Sequence, residues 1–420
     1  MAIRIKDVCE VNKKSLTASD ISKAESFSYL DISNLKNNNI AKIEKINSKK
    51  LPSRAKRVVK KNDVLFSTVR PEQEHHGILT NPPSNLVAST GYTVLTVDET
   101  QADPHYLYYY LTNEVSNERM KLIARTSVSS YPSLKPEDIA NLKYTEKSLD
   151  YQIKIGKLLS HLQEKINLNR EEIKVLQKYV KLLFHHWFFE FNFDNHNSHP
   201  YKKTGGKMKK ISGKVIPLGW NFESLDSLIH TVSNGDWGSE VNNEKCIETY
   251  CIRGADIPNI ELGKIGDTPL RYIKSVGDNQ KNLNHGDIVI EASGGSSTQS
   301  TGRAVLIRNS FLKNQNKPVY FSNFSKRIVP HKSYACFVYL ILDNLYERNI
   351  FFHYEGKTSG IKNLLISNML KRIKIVLPPL EIANKFEEKA GSIYDRINIL
   401  GHENELLSEH LDLLRKKYVK

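Results

Sequence analysis

Leu149–Phe189 has the sequence LDYQIKIGKLLSHLQEKINLNREEIKVLQKYVKLLFHHWFF. Ten of its positions follow one another in alternating steps of four and three residues, and nine of the ten are apolar: Ile155, Leu159, Leu162, Ile166, Asn169, Ile173, Leu176, Val180, Leu183 and Trp187. An apolar seam with this spacing on a charged helix is typical of a coiled coil. One amphipathic helix lying on a globular core would give a similar pattern. The stretch therefore predicts a helix of roughly 60 Å, at 1.5 Å per residue, and leaves its partner open.

The C-terminal stretch repeats this seam. Adding 231 to each of the ten numbers gives a second series in the same register, again with one asparagine: Phe386, Ala390, Ile393, Ile397, Leu400, Asn404, Leu407, Leu411, Leu414 and Tyr418. Two helices in matched register, far apart in the sequence, indicate an internal duplication. They also favour each other as partners, and this shifts the interpretation towards a coiled coil.

The two asparagines predict how the helices pair. If the helices are antiparallel and overlap fully, the numbers of facing residues add up to 573, and Asn169 faces Asn404. Two buried amides can hydrogen-bond to each other, whereas an amide facing a leucine is left without a partner. A parallel pair would place Asn169 against Leu400, which is less favourable. We therefore predict an antiparallel pair whose register is fixed by the two amides.

Composition limits the class of protein. The chain has 420 residues, 39% of them hydrophobic, which is enough for two or three domains with buried cores. Its net charge of +15 favours an anionic partner, most often nucleic acid, although a basic surface without a specific partner is the alternative. Four cysteines without a CxxC pair fit a reducing cytoplasm. The N-terminus lacks the apolar core of a signal peptide, and Cys336–Leu342, the longest apolar run, is too short to cross a bilayer.

The order of elements repeats along the chain. Asn62–Phe66 matches Gly286–Ile290 at a shift of 224, Tyr106–Thr112 matches Cys336–Leu342 at 230, and Lys135–Tyr144 matches Ile366–Ile375 at 231. We predict an α+β protein in which two related mixed α/β domains are joined by two long antiparallel coiled-coil helices, with a pseudo-two-fold internal repeat. The predicted boundaries are a first domain at 1–146, a spacer helix at 147–191, a linker at 192–213, a second domain at 214–378 and a second spacer helix at 379–420.

Catalytic motifs are incomplete. Asn81–Ser84 is similar to the Asn-Pro-Pro-aromatic motif of amino-methyltransferases, but serine replaces the aromatic residue and no glycine-rich loop for S-adenosylmethionine precedes it. Gly356–Ser359 resembles the end of a P-loop, but Phe351 stands where that motif needs glycine. The adjacent pairs His75-His76 and His185-His186 lack ligands at zinc spacing. We expect no catalytic residue and no metal site.

Basic and small polar residues in matching parts of the two repeats are better candidates for contacts with DNA. Arginine and lysine bind phosphates and, less often, guanine bases, and loops of small polar residues let the backbone approach a phosphate. Each charge alone could be a solvated surface residue, and the glycine-rich loop at Ser293–Thr298 could simply be flexible. The predicted DNA-binding residues are Arg54, Lys56, Arg57, Arg70, Ser129, Tyr131 and Lys135 in the first domain, and Gly295, Ser296, Thr298, Arg303, Lys357, Thr358 and Lys362 in the second.

The whole chain resembles the specificity subunits of type I restriction–modification enzymes. The motifs that carry the resemblance are individually weak, and their order is the specific part: Ser53-Arg54-Ala55, Asp63-Val64-Leu65, Val69-Arg70-Pro71, Ser89-Thr90-Gly91-Tyr92, Trp187-Phe188, Ile216-Pro217-Leu218-Gly219-Trp220 and Leu377-Pro378-Pro379-Leu380. The chain departs from the family pattern at Thr145–Ser148, where a proline is usual, and at Ile382–Asn384, which lacks the usual glutamine. Both departures concern the entry into a long helix.

The resemblance implies a non-catalytic prokaryotic cytoplasmic protein that binds double-stranded DNA. Each domain would recognise one half of a split, asymmetric site, and the helices would set the gap and dock two modification subunits, with Trp187, Phe188 and Tyr418 as the predicted docking residues. Restriction subunits would join them. No cofactor is expected in this chain, because S-adenosylmethionine, ATP and magnesium would be bound by the partners. A DNA methyltransferase or nuclease acting alone and a basic scaffold that binds acidic proteins are the alternatives.

Overall fold

The chain folds into two compact units in a computed structural model. Unit 1 contains Met1–Asn167 and Leu407–Lys420, and unit 2 contains Leu168–Leu406, so each long helix contributes residues to both units. The structure describes residues 2–126, 132–195, 199–242, 246–274, 282–296, 298–358 and 361–419.

Unit 1 combines short strands with helices that cover them. Its strands are β1 (Ala2–Arg4), β2 (Cys9–Val11), β3 (Ser26–Leu30), β4 (Leu35–Lys36), β5 (Asn39–Ile40), β6 (Glu44–Asn47), β7 (Ala55–Val58), β8 (Val64–Ser67), β9 (His76–Ile78), β10 (Leu86–Ser89), β11 (Tyr92–Val97) and β12 (Lys143–Thr145). Its helices are α1 (Ile5–Val8), α2 (Ala18–Lys23), α3 (Pro104–Leu111), α4 (Glu114–Arg125), α5 (Pro136–Ala140) and the first part of α6 (Leu149–Phe188).

Two four-stranded sheets form the centre of unit 1, with strand orders β2-β11-β8-β9 and β6-β3-β10-β7. Strand β8 is buried along its whole length because both of its faces are covered. Val64 and Phe66 point into the core that contains α3 and the first part of α6, while Leu65 points into a second core with Leu30. This alternation is the period of two expected for a strand.

Unit 2 likewise combines short strands with helices. Its strands are β13 (Met208–Ile211), β14 (Lys214–Pro217), β15 (Asn221–Ser224), β16 (Ile229–Asn234), β17 (Cys246–Ile252), β18 (Leu270–Lys274), β19 (Ile288–Glu291), β20 (Ser293–Gly294), β21 (Ala304–Leu306), β22 (Val319–Phe321), β23 (Ser325–Pro330), β24 (Glu355–Thr358), β25 (Ile361–Leu364) and β26 (Lys374–Leu377). Its helices are the rest of α6, α7 (Ile257–Glu261), α8 (Asn309–Leu312), α9 (Ala335–Glu347), α10 (Ile366–Arg372) and α11 (Leu380–Tyr418), whose last residues belong to unit 1.

The predicted internal repeat is confirmed by the topology of the sheets. Unit 2 contains a sheet of order β16-β23-β19-β21, which corresponds strand for strand to β2-β11-β8-β9 of unit 1. The parallel pairs β3–β10 and β17–β22 also correspond. A buried aspartate fixes the same turn in each unit, because Asp63 accepts a hydrogen bond from Lys60 N at 2.8 Å and Asp287 accepts one from Asn284 N at 2.6 Å.

The two long helices run antiparallel, and Asn169 meets Asn404 as predicted. Within unit 2, Nδ2 of Asn169 donates to Oδ1 of Asn404 at 3.1 Å, and both residues are almost completely buried. Glu172 pairs with Arg396 at 2.7 Å, and the rings of Trp187 and Phe386 lie 5.7 Å apart, so residue numbers rise on one helix as they fall on the other. The predicted register is therefore confirmed, and Glu403 adds a second acceptor for Asn169 Nδ2 at 2.9 Å.

The segment predicted as a polar linker, 192–213, is more structured than its composition indicates. Phe193 is buried and its ring stacks on Trp220 at 5.0 Å, and Phe191, which precedes the segment, is also buried. Strand β13 lies inside the segment and pairs with β14. The aromatic residues provide enough apolar surface to hold these residues against the core, so the interpretation as a simple linker is corrected.

The first histidine pair is part of the core of unit 1. Nδ1 of His75 lies 2.7 Å from the carbonyl oxygen of Leu35, and Nδ1 of His76 lies 3.2 Å from the hydroxyl of Tyr108. Burial, together with the positive charge of Arg415, lowers the pKa of His76 to about 4. In the described part of the chain, no group of three or more His, Cys, Asp or Glu side chains is placed to hold a metal ion.

None of the helices in the described residues is both long enough and apolar enough to span a bilayer.

Replacing Asn169 alone with leucine is expected to lower the free energy of unfolding by about 1–3 kcal/mol, because the Asn404 amide loses the group that donates to its buried oxygen. The double variant Asn169→Leu/Asn404→Leu should recover most of this loss, since two facing leucines need no hydrogen bond. Urea unfolding gives the free energy of unfolding of the single and the double variant. Lys174→Leu, at an exposed helical position, is the control. Equal losses in the single and double variants would contradict the amide pair.

Stability should also fall in mild acid through His76. Its pKa is about 4 in the folded state and about 6.5 in the unfolded state, so the unfolded chain takes up the proton first as the pH falls. Between pH 7 and pH 5 this costs about 2 kcal/mol of folding free energy. The free energy of unfolding of the wild type and of His76→Gln is measured at pH 7 and at pH 5. If the difference between the two proteins is the same at both pH values, His76 does not titrate in this way.

Candidate nucleic-acid interface and docking surface

Neighbouring backbone segments in unit 1 form an edge that carries the predicted arginines. The amide of Thr90 donates to the carbonyl oxygen of Arg54 at 2.7 Å, and the amide of Thr68 donates to the carbonyl oxygen of Gly91 at 2.8 Å. Thr68 Oγ1 also donates to Gly91 O at 2.9 Å. The segment that contains Arg54 is thereby linked, through the turn between β10 and β11, to the segment that leads to Arg70.

The same edge continues to the segment before α5. The amide of Leu134 donates to the carbonyl oxygen of Thr68 at 2.8 Å, and the amide of Arg70 donates to that of Pro132 at 2.9 Å. These bonds bring Arg70 and Lys135 onto adjacent strands of backbone, and the side chains of both are exposed. The structure thus unites three predicted cations, Arg54, Arg70 and Lys135, that are far apart in the sequence. We call this set the cationic edge of unit 1.

Arg70 has an unusual backbone. Its φ of 49° lies in the left-handed region, which residues with a Cβ rarely adopt, and it immediately precedes the turn Pro71–Gln73. Glu74, at the other end of the turn, has the same conformation with a φ of 58°, so the two left-handed residues frame the turn together.

Strand β7 adds two more cations with different surroundings. Lys56 is exposed, whereas Arg57 is partly buried and its Nε is a buried donor without a hydrogen-bond partner among the described residues. Burial lowers the pKa of the Arg57 guanidinium, although arginine stays protonated at neutral pH. Because this nitrogen is closed off from solvent, its lack of a partner is not evidence of a phosphate contact.

The corresponding part of unit 2 is the glycine-rich loop after β19. In unit 1, Val69 and Ser133 form a single β-bridge. At the corresponding place in unit 2, two residue pairs form a short ladder, Ser293 with Asn363 and Gly294 with Lys362. Oγ of Ser296 accepts hydrogen bonds from Gln299 N at 3.1 Å and Thr298 N at 3.3 Å. Gly295 has a φ of 74°, and Gly295, Ser296 and Thr298 are exposed. The loop is therefore fixed by hydrogen bonds and presents small polar groups to solvent.

Two of the predicted cations of unit 2 are already paired. Nζ of Lys362 donates to Ser296 O at 2.6 Å and lies 3.1 Å from Glu355, and Arg303 pairs with Glu291 at 3.1 Å. The side chains of both glutamates are almost fully buried, so neither ion pair is a loose surface contact. Both side chains hold the glycine-rich loop in place, and their direct contact with DNA stays a prediction.

The structure does not describe the side chains of four of the predicted DNA-binding residues. Ser129 and Tyr131 lie outside the described residues. Lys357 and Thr358 belong to β24, whose backbone pairs with β25, while the structure describes neither of their side chains. Their roles stay predictions.

The sequence analysis missed one residue at this edge. Ala292 N donates to Phe324 O at 2.8 Å, in the way that Thr68 N donates to Gly91 O in unit 1, so Phe324 takes the place of Gly91. Its side chain is 54% exposed. The only signal in the sequence was an aromatic residue inside a polar turn, which periodicity does not detect.

The predicted docking residues do not form a free surface. Trp187 and Phe188 are buried in the core of unit 2, where both rings lie against Phe386, at 5.7 and 4.8 Å. The carbonyl oxygen of Tyr418 accepts a hydrogen bond from the hydroxyl of Tyr151 at 3.0 Å in unit 1, and its side chain is only partly exposed. Intramolecular packing thus occupies Trp187 and Phe188, and their prediction as docking residues is corrected.

A different set of residues on the long helices is exposed. The two helices carry a second apolar series, spaced by seven residues and repeated at the same shift of 231, whose members are between 45% and 68% exposed: Leu168, Val175 and Leu182 on α6, and Ile399, Leu406 and Leu413 on α11. We call these two series the exposed stripes. Water-exposed leucines at heptad spacing are typical of a helix that packs against a partner helix.

Comparison with known proteins gives consistent matches. Residues 1–178 match the family described as the type I restriction modification DNA specificity domain. The chain is similar to the type I restriction enzyme HindI specificity subunit of Haemophilus influenzae, with 23% identity over 92% of each chain. It is also similar to the MjaIX specificity subunit of Methanocaldococcus jannaschii, with 23% identity over 70% of this chain and 62% of that one.

A solved structure supports the fold. The type I restriction–modification S subunit from M. genitalium aligns with all of this chain and with 95% of its own, with a TM-score of 0.60 at 14% sequence identity. Identity at this level speaks for the architecture alone.

Proposed function

We propose that this chain, which is similar to type I restriction enzyme specificity subunits, is the non-catalytic subunit that recognises DNA sequence for such an enzyme. The observation that carries this proposal is the duplicated edge at which the strands of each unit end in polar loops. Duplication of a DNA-binding edge suits a bipartite site, each half of which is recognised by one unit.

The cationic edge of unit 1 supplies the groups for phosphate binding. Arg54, Arg70 and Lys135 are exposed and lie on adjacent backbone segments, and Arg57 on β7 is partly exposed. Contacts of this kind fix the register of a protein on DNA and account for most of its non-specific affinity. Ser129 and Tyr131, on the segment before Pro132, are proposed to reach the bases.

Unit 2 is proposed to approach DNA mainly through a loop of small polar residues. The Gly295–Ser296 backbone is exposed, and Ser296 and Thr298 offer hydroxyl groups to a phosphate. The missing Cβ of Gly295 lets the loop close on itself, because a Cβ there would lie 2.8 Å from the carbonyl oxygen of Gln299. Lys357 and Thr358 would add donors from β24. In this arrangement Lys362 and Arg303 position the loop, and Phe324 is placed to touch a base edge or a thymine methyl group.

The exposed stripes are proposed to bind two modification subunits. The two stripes have the same residue spacing and similar side chains, so two copies of one partner would find equivalent surfaces. The partners would bind S-adenosylmethionine and methylate adenine, and restriction subunits would use ATP and magnesium. This chain would contribute sequence recognition and assembly, and none of the bond-making steps.

Removing one cation from the edge should weaken DNA binding regardless of sequence. For Arg54→Ala or Arg70→Ala we expect binding to weaken by about 1–2 kcal/mol at low salt, and the slope of log K against log salt to fall by about 1, since one phosphate contact is lost. The measurement is a salt titration of the complex, assembled with its modification subunits, on DNA carrying the site found by methylation sequencing.

Lys6→Ala, at an exposed position on α1, is the matched control and should leave the slope unchanged. An unaltered slope for both arginine variants would contradict the assignment of the edge. Methylation of DNA by the chain alone would contradict the non-catalytic role.

A charge placed on one exposed stripe should remove one partner. We expect Val175→Glu and Leu406→Glu each to yield a complex with a single modification subunit, and the double variant to bind none, because burying an unpaired carboxylate costs several kcal/mol (about 3–5). Native mass spectrometry of the co-purified complex gives the count directly. Lys174→Glu, beside Val175 on the helix, should keep both partners, and full assembly of the double variant would rule out the stripes as the docking surface.

A further inference from the structure

Unit 2 contains an open cleft that neither DNA binding nor the exposed stripes require. Its volume is about 470 Å³, and it lies between the end of α6, the hairpin β13–β14, α9 and β26. The floor is made of buried apolar side chains: Phe188, Phe191, Ile216, Phe337 and Ile375. We call it the aromatic cleft. A concave apolar floor of this size accommodates one or two large apolar side chains.

Three cations surround this floor. Lys214, Arg348 and Lys374 line the cleft and all three are exposed, and Nζ of Lys214 lies 5.8 Å from the centre of the Phe222 ring, which also lines it. No aspartate or glutamate is among the lining residues. An apolar floor inside a rim of one charge sign selects a ligand that combines apolar groups with the opposite charge.

The mouth of the cleft shows how large the ligand is. Phe189 and Val215 line it and remain 44% and 54% exposed, so apolar surface continues outside the cavity. A small molecule seated on the floor would leave these side chains in water. A segment of a protein chain could cover them and place carboxylates beside the cations at the same time.

The rim is only partly repeated in unit 1. At the shift of 231 Lys374 corresponds to Lys143, so this cation is kept, whereas at the shift of 230 Arg348 corresponds to Glu118.

We propose that the aromatic cleft binds an acidic, amphipathic segment of a partner protein. One or two apolar side chains of that segment would insert between Phe188, Phe337 and Phe191, and its carboxylates would pair with Arg348, Lys374 and Lys214. This goes beyond the proposed function, because it involves neither DNA nor the exposed stripes, and it holds whether or not the chain recognises DNA.

The first test measures binding of a defined probe to the full-length chain. The probe is a fluorescein-labelled peptide of about 16 residues with leucine and phenylalanine on one helical face and glutamate on the other, and the matched probe has glutamine in place of glutamate. Fluorescence polarisation should show the acidic peptide binding at least about tenfold more tightly than the neutral one, which corresponds to about 1.4 kcal/mol.

Charge reversal then locates the site. Arg348→Glu/Lys374→Glu should weaken binding of the acidic peptide by at least about tenfold and should favour a peptide with lysine in place of glutamate. Lys371→Glu, an exposed lysine on α10 that does not line the cleft, should bind as the wild type does. Equal binding of the acidic and neutral peptides, or an equal loss in the control, would overturn the proposal.

A second experiment uses the assembled complex. A photo-crosslinking residue at Val215 should react with a partner segment rich in acidic and apolar residues, identified by mass spectrometry of the purified subunits. Crosslinking to DNA, or displacement of the acidic peptide by duplex DNA, would show that the cations belong to the DNA interface and would overturn the proposal. A negative result in the peptide assay or in the crosslinking experiment would not affect the proposed recognition of DNA by the cationic edge.

Discussion

The buried hydrogen bond between Asn169 and Asn404 is the constraint on which the arrangement of the helices depends. Apolar seams with a period of 3.5 residues can slide by one heptad at little cost, because leucine meets leucine in either register. A slide would bury each amide against an aliphatic side chain, and the loss of the hydrogen bond makes that register unfavourable. One polar pair thus fixes which residues of each helix face inward and, through that choice, which residues form the exposed stripes.

The attachment of each α/β core to its long helix shows how the two repeats have diverged. In unit 1, Asp103 caps α3 by accepting a hydrogen bond from Tyr106 N at 2.7 Å, and Gly156 on the long helix leaves room for that carboxylate, since a Cβ there would lie 2.1 Å from it. In unit 2 the carboxylate is on the long helix itself, where Glu387 accepts a hydrogen bond from Cys336 N at 2.8 Å. Positions 156 and 387 are related by the shift of 231, so the same helix terminus is satisfied from opposite sides.

Periodic features were predictable from the sequence, and features that depend on distant partners were not. The extent of α6, the match of Asn62–Phe66 with Gly286–Ile290 and the facing asparagines all follow from local spacing or from comparison of the repeats. The pairing of Lys362 with Glu355 and of Arg303 with Glu291 depends on residues of other strands. Spacing shows that a lysine lies on an element, whereas only the fold shows whether a carboxylate already holds it.

The ion pairs of Arg303 and Lys362 affect how much each unit would contribute to DNA binding. Cations that are solvated in the free protein release counterions from DNA when they meet phosphate, and they provide affinity that depends on salt. Arg303 and Lys362 are paired with nearly buried carboxylates, so bringing them to a phosphate would first expose an uncompensated buried charge. The exposed Arg54 and Lys135 of unit 1 should therefore contribute more salt-dependent affinity than Arg303 and Lys362. Unit 2 would discriminate through the shape of a fixed loop and through hydrogen bonds, whose strength depends on distance and angle and little on ionic strength.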